Sequence, residues 1–290
     1  MIELYERQLS EEPHRMKKYS TPFDAKKIKR IFENKGLHNV DVFTYDITDS
    51  TNTRAKLYAK NEGKAKRAPA VFVARGQNAG RGTRGRTFNS LAGVGLYVSF
   101  LFYPDALGAE ATAITSYAAT RVIKALDELV EDRARLGIKW VNDVYLDGRK
   151  LAGILTEGEL DSECRFSFAI CGIGINLYRR VWQPELEDIA ISLEEAGVDA
   201  DPEALLISLS EEFFSSLSEA GSPSVHSEYV SRSLLLGEPV SVTSADGSYD
   251  ATALRINPDF SLSVTTPDGT EKRLISADVS VRKNKNLGGF

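Results

Sequence analysis

Apolar residues recur along the chain with two periods, and the change from one to the other marks out the elements. From Ala111 to Val130, Ile114, Tyr117, Ala118, Val122, Ala125, Leu126 and Leu129 fall at helical spacing and predict a long helix. Asp201-Pro202-Glu203 offers a cap, a first-turn proline and an acidic residue for a second helix, with Leu205, Leu206, Leu209, Phe213 and Leu217 as its apolar face. A shorter helix is predicted over Asp24 to Glu33, closed by Gly36. Strand patterns occur at Val40–Ile47, Ala70–Ala74, Gly95–Phe102, Leu151–Leu155 and Phe166–Ile175. Between the first two, the oxygens of Asp49 to Asn52 are able to cap a helix through Ala55, Leu57 and Tyr58.

The run IKWVNDVYL (138–146) is read as one strand with a polar centre, which would put Lys139, Val141 and Asp143 on one face and Trp140 in the core. Asp147-Gly148 then signals a hairpin turn. The stretch Gly76 to Gly85 is rich in Gly and Arg and offers nothing to bury, so it reads as a mobile loop. After Gly237, turn residues at Ala245–Ser248, Asn257–Asp259 and Pro267–Gly269 separate short strands, the texture of a small β-barrel. The resulting division is an N-terminal extension (1–40), a main domain (41–232), a small C-terminal domain (233–284) and a frayed tail (285–290).

Composition narrows the function classes. The chain has 290 residues, 42% hydrophobic and 27% charged, which suits an ordinary globular protein with one large and one small domain. A net charge of −5 argues against general nucleic-acid binding but leaves room for a local basic site for a polyphosphate. No apolar run approaches the roughly 20 residues that cross a membrane. The charged N-terminus is not a secretory signal. Cys164 and Cys171 are too few for a disulfide framework, so a reduced, cytoplasmic enzyme is the simplest reading. His14, His38 and His226 lack metal spacing, and neither Ser99 nor Ser192 stands in a hydrolase motif. Cys171 reads as a small buried hydrophobe.

Four polar clusters interrupt the pattern, each at a strand end, where functional groups tend to sit. They are Asp49-Ser50-Thr51-Asn52, Gln77 with GRGTRGR at 80–86, KWVND at 139–143 with Lys150, and GIGIN at 172–176. Glycines around Arg81, Arg84 and Arg86 let backbone N–H groups approach an anion while guanidinium groups grip phosphate oxygens in pairs. The run lacks the ending of a Walker loop, and by itself reads equally as a solvated basic or RNA-binding loop; its neighbours favour phosphate. In KWVND a lysine can neutralise a carboxylate and an α-phosphate together, and an aspartate can hold Mg²⁺. A lone Lys–Asp pair, by contrast, is usually a surface salt bridge. GIGIN lacks the third glycine of a dinucleotide fingerprint, Tyr178 standing there; its two glycines instead let a flat base lie against the backbone.

DSTN at 49–52, Q-x-A-G-R-G-x-R-G-R at 77–86, GLYVSF at 95–100, KWVNDVYLDGRKLAGIL at 139–155 and GIGINL at 172–177 together resemble the biotin–protein ligases in order and spacing. The resemblance is dense from about Tyr45 to Leu177. It implies an α+β fold, with a class II synthetase-like central mixed β-sheet flanked by helices and a C-terminal SH3-like β-barrel. It also implies a two-step reaction with Mg²⁺ as cofactor. Biotin's carboxylate attacks the α-phosphate of ATP to give biotinyl-5′-AMP and pyrophosphate, and a lysine of a biotin carboxyl carrier protein then displaces AMP.

Carried over by motif, Ser50, Thr51, Asn52 and Gln77 would line the biotin site. Arg81, Gly82 and Thr83 would belong to the loop that closes over biotin and the adenylate, with Arg84 and Arg86 toward the nucleotide. Lys139 would meet both carboxylate and phosphate, and Lys150 would stabilise the phosphate. Asn142 and Asp143 would serve the metal–phosphate side and the acceptor lysine, and Asn176 would reach the adenine. A carboxylate meeting a polyphosphate is a like-charge encounter, so fixed cations should dominate, and a closing loop would shield a hydrolysable anhydride.

A homodimer is suggested by the likeness, whereas DNA binding and membrane association are not expected, the first forty residues being short for a winged-helix reader. Three departures stand out: Val141 replaces the proline usual in KWPND, which is expected to cost only turn rigidity; Thr83 stands where many members carry arginine, which bears on retention of the adenylate; and Phe88 stands near where a tryptophan often follows the loop. A lipoate or octanoate ligase would share the fold, but its glycine run and HD pair are missing here. A nucleic-acid-binding regulator using the Arg/Gly loop is the other alternative.

Overall fold

The computed structural model describes residues 22–61, 65–104, 111–163, 165–180, 182–244, 247–275 and 280–283. Most of the expected N-terminal extension, the tail, His14, Cys164 and part of the turn at 245–248 lie outside the described residues, as does the side chain of Arg84. Helix α1 (Ala25–Asn34) begins where Asp24 accepts from the N–H groups of Lys26 and Lys27. Strand β1 (Asp41–Thr48), helix α2 (Thr51–Lys60) and strand β2 (Ala70–Gln77) follow, the two strands pairing in parallel across the helical connection.

Strands β3 (Gly95–Phe102), β4 (Leu136–Lys139), β5 (Asp143–Leu146), β6 (Arg149–Leu160) and β7 (Phe166–Asn176) complete a seven-stranded sheet. Its order is β1-β2-β3-β7-β6-β5-β4, antiparallel everywhere but at β1–β2, so the sheet is mixed. Both faces are covered. Ala70, Phe72 and Leu101 point to Ala55 and Ala59 of α2, while Val71, Val73, Val98 and Phe100 enter the larger core opposite. This two-sided burial is why AVFVA and GLYVSFLF read as nearly continuous apolar runs.

The larger core is built on α3 (Ala111–Asp127), α4 (Pro202–Ser215) and α5 (Pro223–Ser231). Helix α4 starts as its sequence predicts, Asp201 accepting from Ala204 N at 2.7 Å ahead of Pro202. Phe213 of α4 stacks on Phe100 of β3, with ring centroids 4.5 Å apart. Arg121 of α3 is only 2% exposed and is neutralised by Glu228 of α5, a charge that would be costly there without its partner.

The C-terminal strands β8 (Pro239–Ser244), β9 (Gly247–Ile256), β10 (Leu262–Thr265), β11 (Glu271–Leu274) and β12 (Ser280–Lys283) form a separate antiparallel sheet in the order β11-β10-β9-β8-β12. The turn between β9 and β10 carries Phe260, wholly buried against the rings of His226 and Tyr229. Its carbonyl accepts from the Trp140 indole at 2.8 Å, so this turn docks on the segment between β4 and β5. No helix among the described residues is long and apolar enough to cross a membrane.

Two local expectations change and one holds. IKWVNDVYL is two strands, not one: Lys139 and Asp143 are cross-strand partners and Trp140, Val141 and Asn142 turn between them, with the Trp140–Val141 peptide cis. The turn itself carries the buried apolar pair Trp140 and Val141, and the polar Lys139, Asn142 and Asp143 flank them. The turn at Asp147-Gly148 is as predicted, both residues having positive φ (50° and 73°). Finally, the Arg/Gly stretch is closed on itself by backbone hydrogen bonds, Gly82 N to Arg86 O at 2.7 Å and Phe88 N to Gly80 O at 3.0 Å. A segment that cannot be ordered by burial is held here by its own main chain.

Candidate active site

The ends of β1, β2, β6 and β7 and the β4–β5 turn open onto one cleft of about 1640 Å³. Ser50, Thr51, Asn52, Gln77, Arg81, Gly82, Thr83, Arg86, Lys139, Asn142, Asp143, Lys150 and Asn176 all line it. Arg81 and Lys139, which come from separate segments, thus face a shared space.

One end of the cleft is neutral and buried. Ser50, Thr51 and Asn52 are 2%, 3% and 5% exposed at the start of α2. The expected side-chain cap does not form at Ser50. Gln77, at the end of β2, does that work instead: its Oε1 accepts from Thr51 N at 2.8 Å and from Thr51 Oγ1 at 3.1 Å. Gln77 Nε2 donates to Ser90 Oγ at 2.8 Å, and Ser90 donates to the Phe88 carbonyl at 3.0 Å. Ser99 Oγ lies 2.7 Å from Thr51 Oγ1 and 2.6 Å from Asn52 Oδ1. Asn52 Nδ2 donates to Glu157 Oε2 at 2.8 Å, and the other oxygen of Glu157 meets Arg81 Nη2 at 2.8 Å.

Beside this network, Asp49 accepts from Ser50 N and Thr48 Oγ1. Partial burial raises its pKa, but these hydrogen bonds and the Arg54 charge outweigh it and hold the carboxyl below its ordinary value.

Glycines explain why the β7 end of the floor fits. A methyl at Gly172 would stand 2.1 Å from Asn52 Oδ1, and one at Gly174 would stand 2.4 Å from the Phe88 ring. The two glycines therefore make room for side chains of the chain itself. The flat ring lying on Gly174 is Phe88, where the sequence suggested a bound base.

The other end is charged and wetter. Lys150 Nζ is 2.6 Å from Asp143 Oδ1, an ion pair whose alignment falls short of a hydrogen bond. Lys139 Nζ lies 3.4 Å from the Tyr145 hydroxyl and 5.6 Å from its ring centroid. Asp143 of KWVND thus pairs with Lys150. Asn142 donates to Ile154 O at 2.9 Å, which fixes the turn against β6. Asn176 donates to Ile191 O at 3.2 Å and accepts from Arg180, whose guanidinium stacks 4.0 Å above the Trp182 ring. Cys171 is wholly buried, and burial pushes its thiol up to about 12.

The sequence reading missed Glu157, Ser90, Arg180 and Trp182, and it considered Ser99 only as a nucleophile. Glu157 and Ser99 lie inside strands, where alternation was the only signal that their side chains share the cleft face.

The model of the biotin/lipoate A/B protein ligase family matches residues 44–176. The chain is 34% identical over 200 residues to the biotin–[acetyl-CoA-carboxylase] ligase of Paracoccus denitrificans, which covers 67% of this chain and 81% of that one. It is 29% identical over 246 residues to the bifunctional ligase/repressor BirA of Bacillus subtilis strain 168, covering 82% of this chain and 73% of that one. Among solved structures, the biotin protein ligase from Aquifex aeolicus in complex with biotin and ATP superposes with a TM-score of 0.69 at 28% identity, covering 85% of this chain and all of that one.

Proposed function

The chain belongs to the biotin protein ligase family, and on that premise we propose that its cleft activates biotin with ATP and passes it to a lysine of a biotin carboxyl carrier protein. The observation that carries this reading is the convergence of Arg81 and Lys139 on one cleft whose far end is neutral and hydrogen-bonded. Biotin's fused rings and ureido group suit the buried amide and hydroxyl groups of Thr51, Asn52 and Gln77. Its carboxylate would then project toward Lys139.

On this reading Lys139 holds the carboxylate against the α-phosphate, lowering the repulsion between two anions as they meet. Lys150 and the loop guanidinium groups take up phosphate charge, and Asn142 and Asn176 fix the surrounding backbone. Among the described residues no three His, Cys, Asp or Glu side chains converge, so the chain builds no all-protein metal cage there. Asp143 fits a Mg²⁺ ion that is otherwise held by phosphate oxygens, the usual division of ligands for that ion. When bound, the metal would neutralise phosphate charge. In the second step Asp143 would steer the acceptor lysine, and the loop at 80–88 would keep water from the mixed anhydride.

We read the C-terminal five-stranded sheet as the SH3-like unit of such ligases, with domain limits at 41–232 and 233–284 after the N-terminal extension. The two cysteines and the charged N-terminus support reading the setting as cytoplasmic, family likeness suggests a homodimer, and the net charge of −5 supports a protein that does not bind DNA. Pyrophosphate release from ATP decides the substrate. Biotin should support it, whereas lipoate and octanoate should not; turnover with lipoate and not biotin would replace this reading with the other branch of the family.

A further inference from the structure

Both stems of the Arg/Gly loop are tied to the floor of the cleft, and the ties meet. From one stem, Arg81 reaches Glu157 on β6, and Glu157 reaches Asn52. From the other, Phe88 is tied through Ser90 and Gln77 to Thr51. Ser99, wholly buried on β3, closes the circuit between Thr51 and Asn52. Elsewhere the loop stands off β6, leaving a hollow of about 340 Å³ lined by Gly82, Arg86, Leu155 and Glu157. The Arg81–Glu157 pair is a strut across that hollow.

We propose that Glu157 is a positioning residue that couples occupation of the biotin end to closure of the loop. The inference rests on the reading that the neutral end receives biotin. Its chemistry is specific to a carboxylate. The guanidinium of Arg81 and the amide NH₂ of Asn52 are both donors, and Glu157 presents one acceptor oxygen to each, at 2.8 Å. A glutamine would have to offer an NH₂ group to one of them, so one contact would become a clash of donors. The Glu157 and Arg81 side chains are 20% and 46% exposed, so the pair adds little to global stability; its effect is on where the loop sits. A ligand that seats on Thr51 and Asn52 fixes Glu157, and Glu157 then fixes Arg81. Removing the link should therefore loosen the loop and weaken capture of biotin while leaving Lys139 and Lys150 in place.

The test compares the full chain with Glu157→Gln and, as a control, Glu159→Gln. Glu159 lies two residues further along β6 and pairs with Lys60 of α2. In Glu157→Gln the biotin KM for pyrophosphate release should rise about tenfold, with kcat at saturating biotin changed less than about threefold. Trypsin, which cuts after Arg81, Arg84 and Arg86, should cleave the ligand-free loop faster, and protection should need correspondingly more biotin. Glu159→Gln should match the unaltered protein in all three. An unchanged biotin KM and an unchanged ligand-free cleavage rate in Glu157→Gln would overturn the proposal. An unaltered chain that ignores biotin would sink the reading of the cleft instead, and the ligand-free cleavage rates would still judge the strut. Should Glu157→Gln melt prematurely, Glu157→Asp carries the same test, because its shorter carboxylate cannot span both donors.

Discussion

The two ends of the cleft solve opposite problems. At the neutral end Ser50, Thr51 and Asn52 are almost entirely buried, and Thr51 and Asn52 are hydrogen-bonded within the chain to Gln77, Ser99 and Glu157. At the charged end, Lys150 and Asp143 keep 29% and 19% of their side-chain surface and pair chiefly with each other. A buried polar network is costly unless satisfied, so it must be pre-built and is selective about shape. A half-exposed cation stays hydrated and can exchange partners as phosphate charge comes and goes. On the proposed function, recognition falls to the rigid end and charge handling to the adaptable one.

Four measurements press on that division, in descending order of expected effect. Lys139→Ala should lower kcat for pyrophosphate release roughly 10²–10³-fold and raise the biotin KM by a smaller factor, while the melting temperature stays close to its original value; a native rate of biotinyl-AMP formation would remove that lysine from the chemistry. Gly172→Ala, whose methyl would stand 2.1 Å from Asn52 Oδ1, should raise the biotin KM by about 100-fold and cost about 1–3 kcal/mol of stability, leaving the ATP KM alone. Were the ATP KM to move instead, the assignment of the two ends would be reversed. Raising ionic strength about tenfold should raise the ATP KM several-fold and the biotin KM by less, since exposed charges are screened and the buried hydrogen bonds of Thr51 and Asn52 are not.

The smallest effect concerns pH. The carboxyl of Asp49 sits below its ordinary value of 3.8 in the folded protein, so its contribution is fully present above that value and is lost as pH falls through the lower, folded pKa. Asp49→Asn should therefore be less stable than the unaltered chain above the ordinary carboxylate pKa, and the two should converge in acid-unfolding curves once the pH falls below the lowered, folded pKa. Parallel curves throughout would show that this charge does not support the neutral end.

Much of this arrangement could be read from the chain. Helix α3 was legible because its apolar residues repeat over more than four turns, and the start of α4 because Asp201-Pro202-Glu203 is a local signal. The site clusters were legible because glycine and charge interrupt apolar strands. What was not legible depends on pairing between distant segments. The β4–β5 turn looked like a strand because its central residues, Trp140 and Val141, are apolar; only packing against Phe260 explains that. Gln77 was singled out, but its role in completing the start of α2 requires β1 and β2 to lie side by side. Glu157 was missed because a lone acid in an alternating strand resembles any solvated residue, and its partners lie in two other segments.

The seating of Phe260 under the β4–β5 turn has a practical corollary. A shortened chain ending ahead of Pro239 would strip the Trp140 indole of its acceptor and uncover the ring of Tyr229. Trimming the protein to its larger sheet would thus take away one support of the lysine-bearing hairpin, leaving it held by Ile154 and Tyr229. The small sheet works as a doorstop for the catalytic edge, and any minimal version of the molecule has to keep it or replace it.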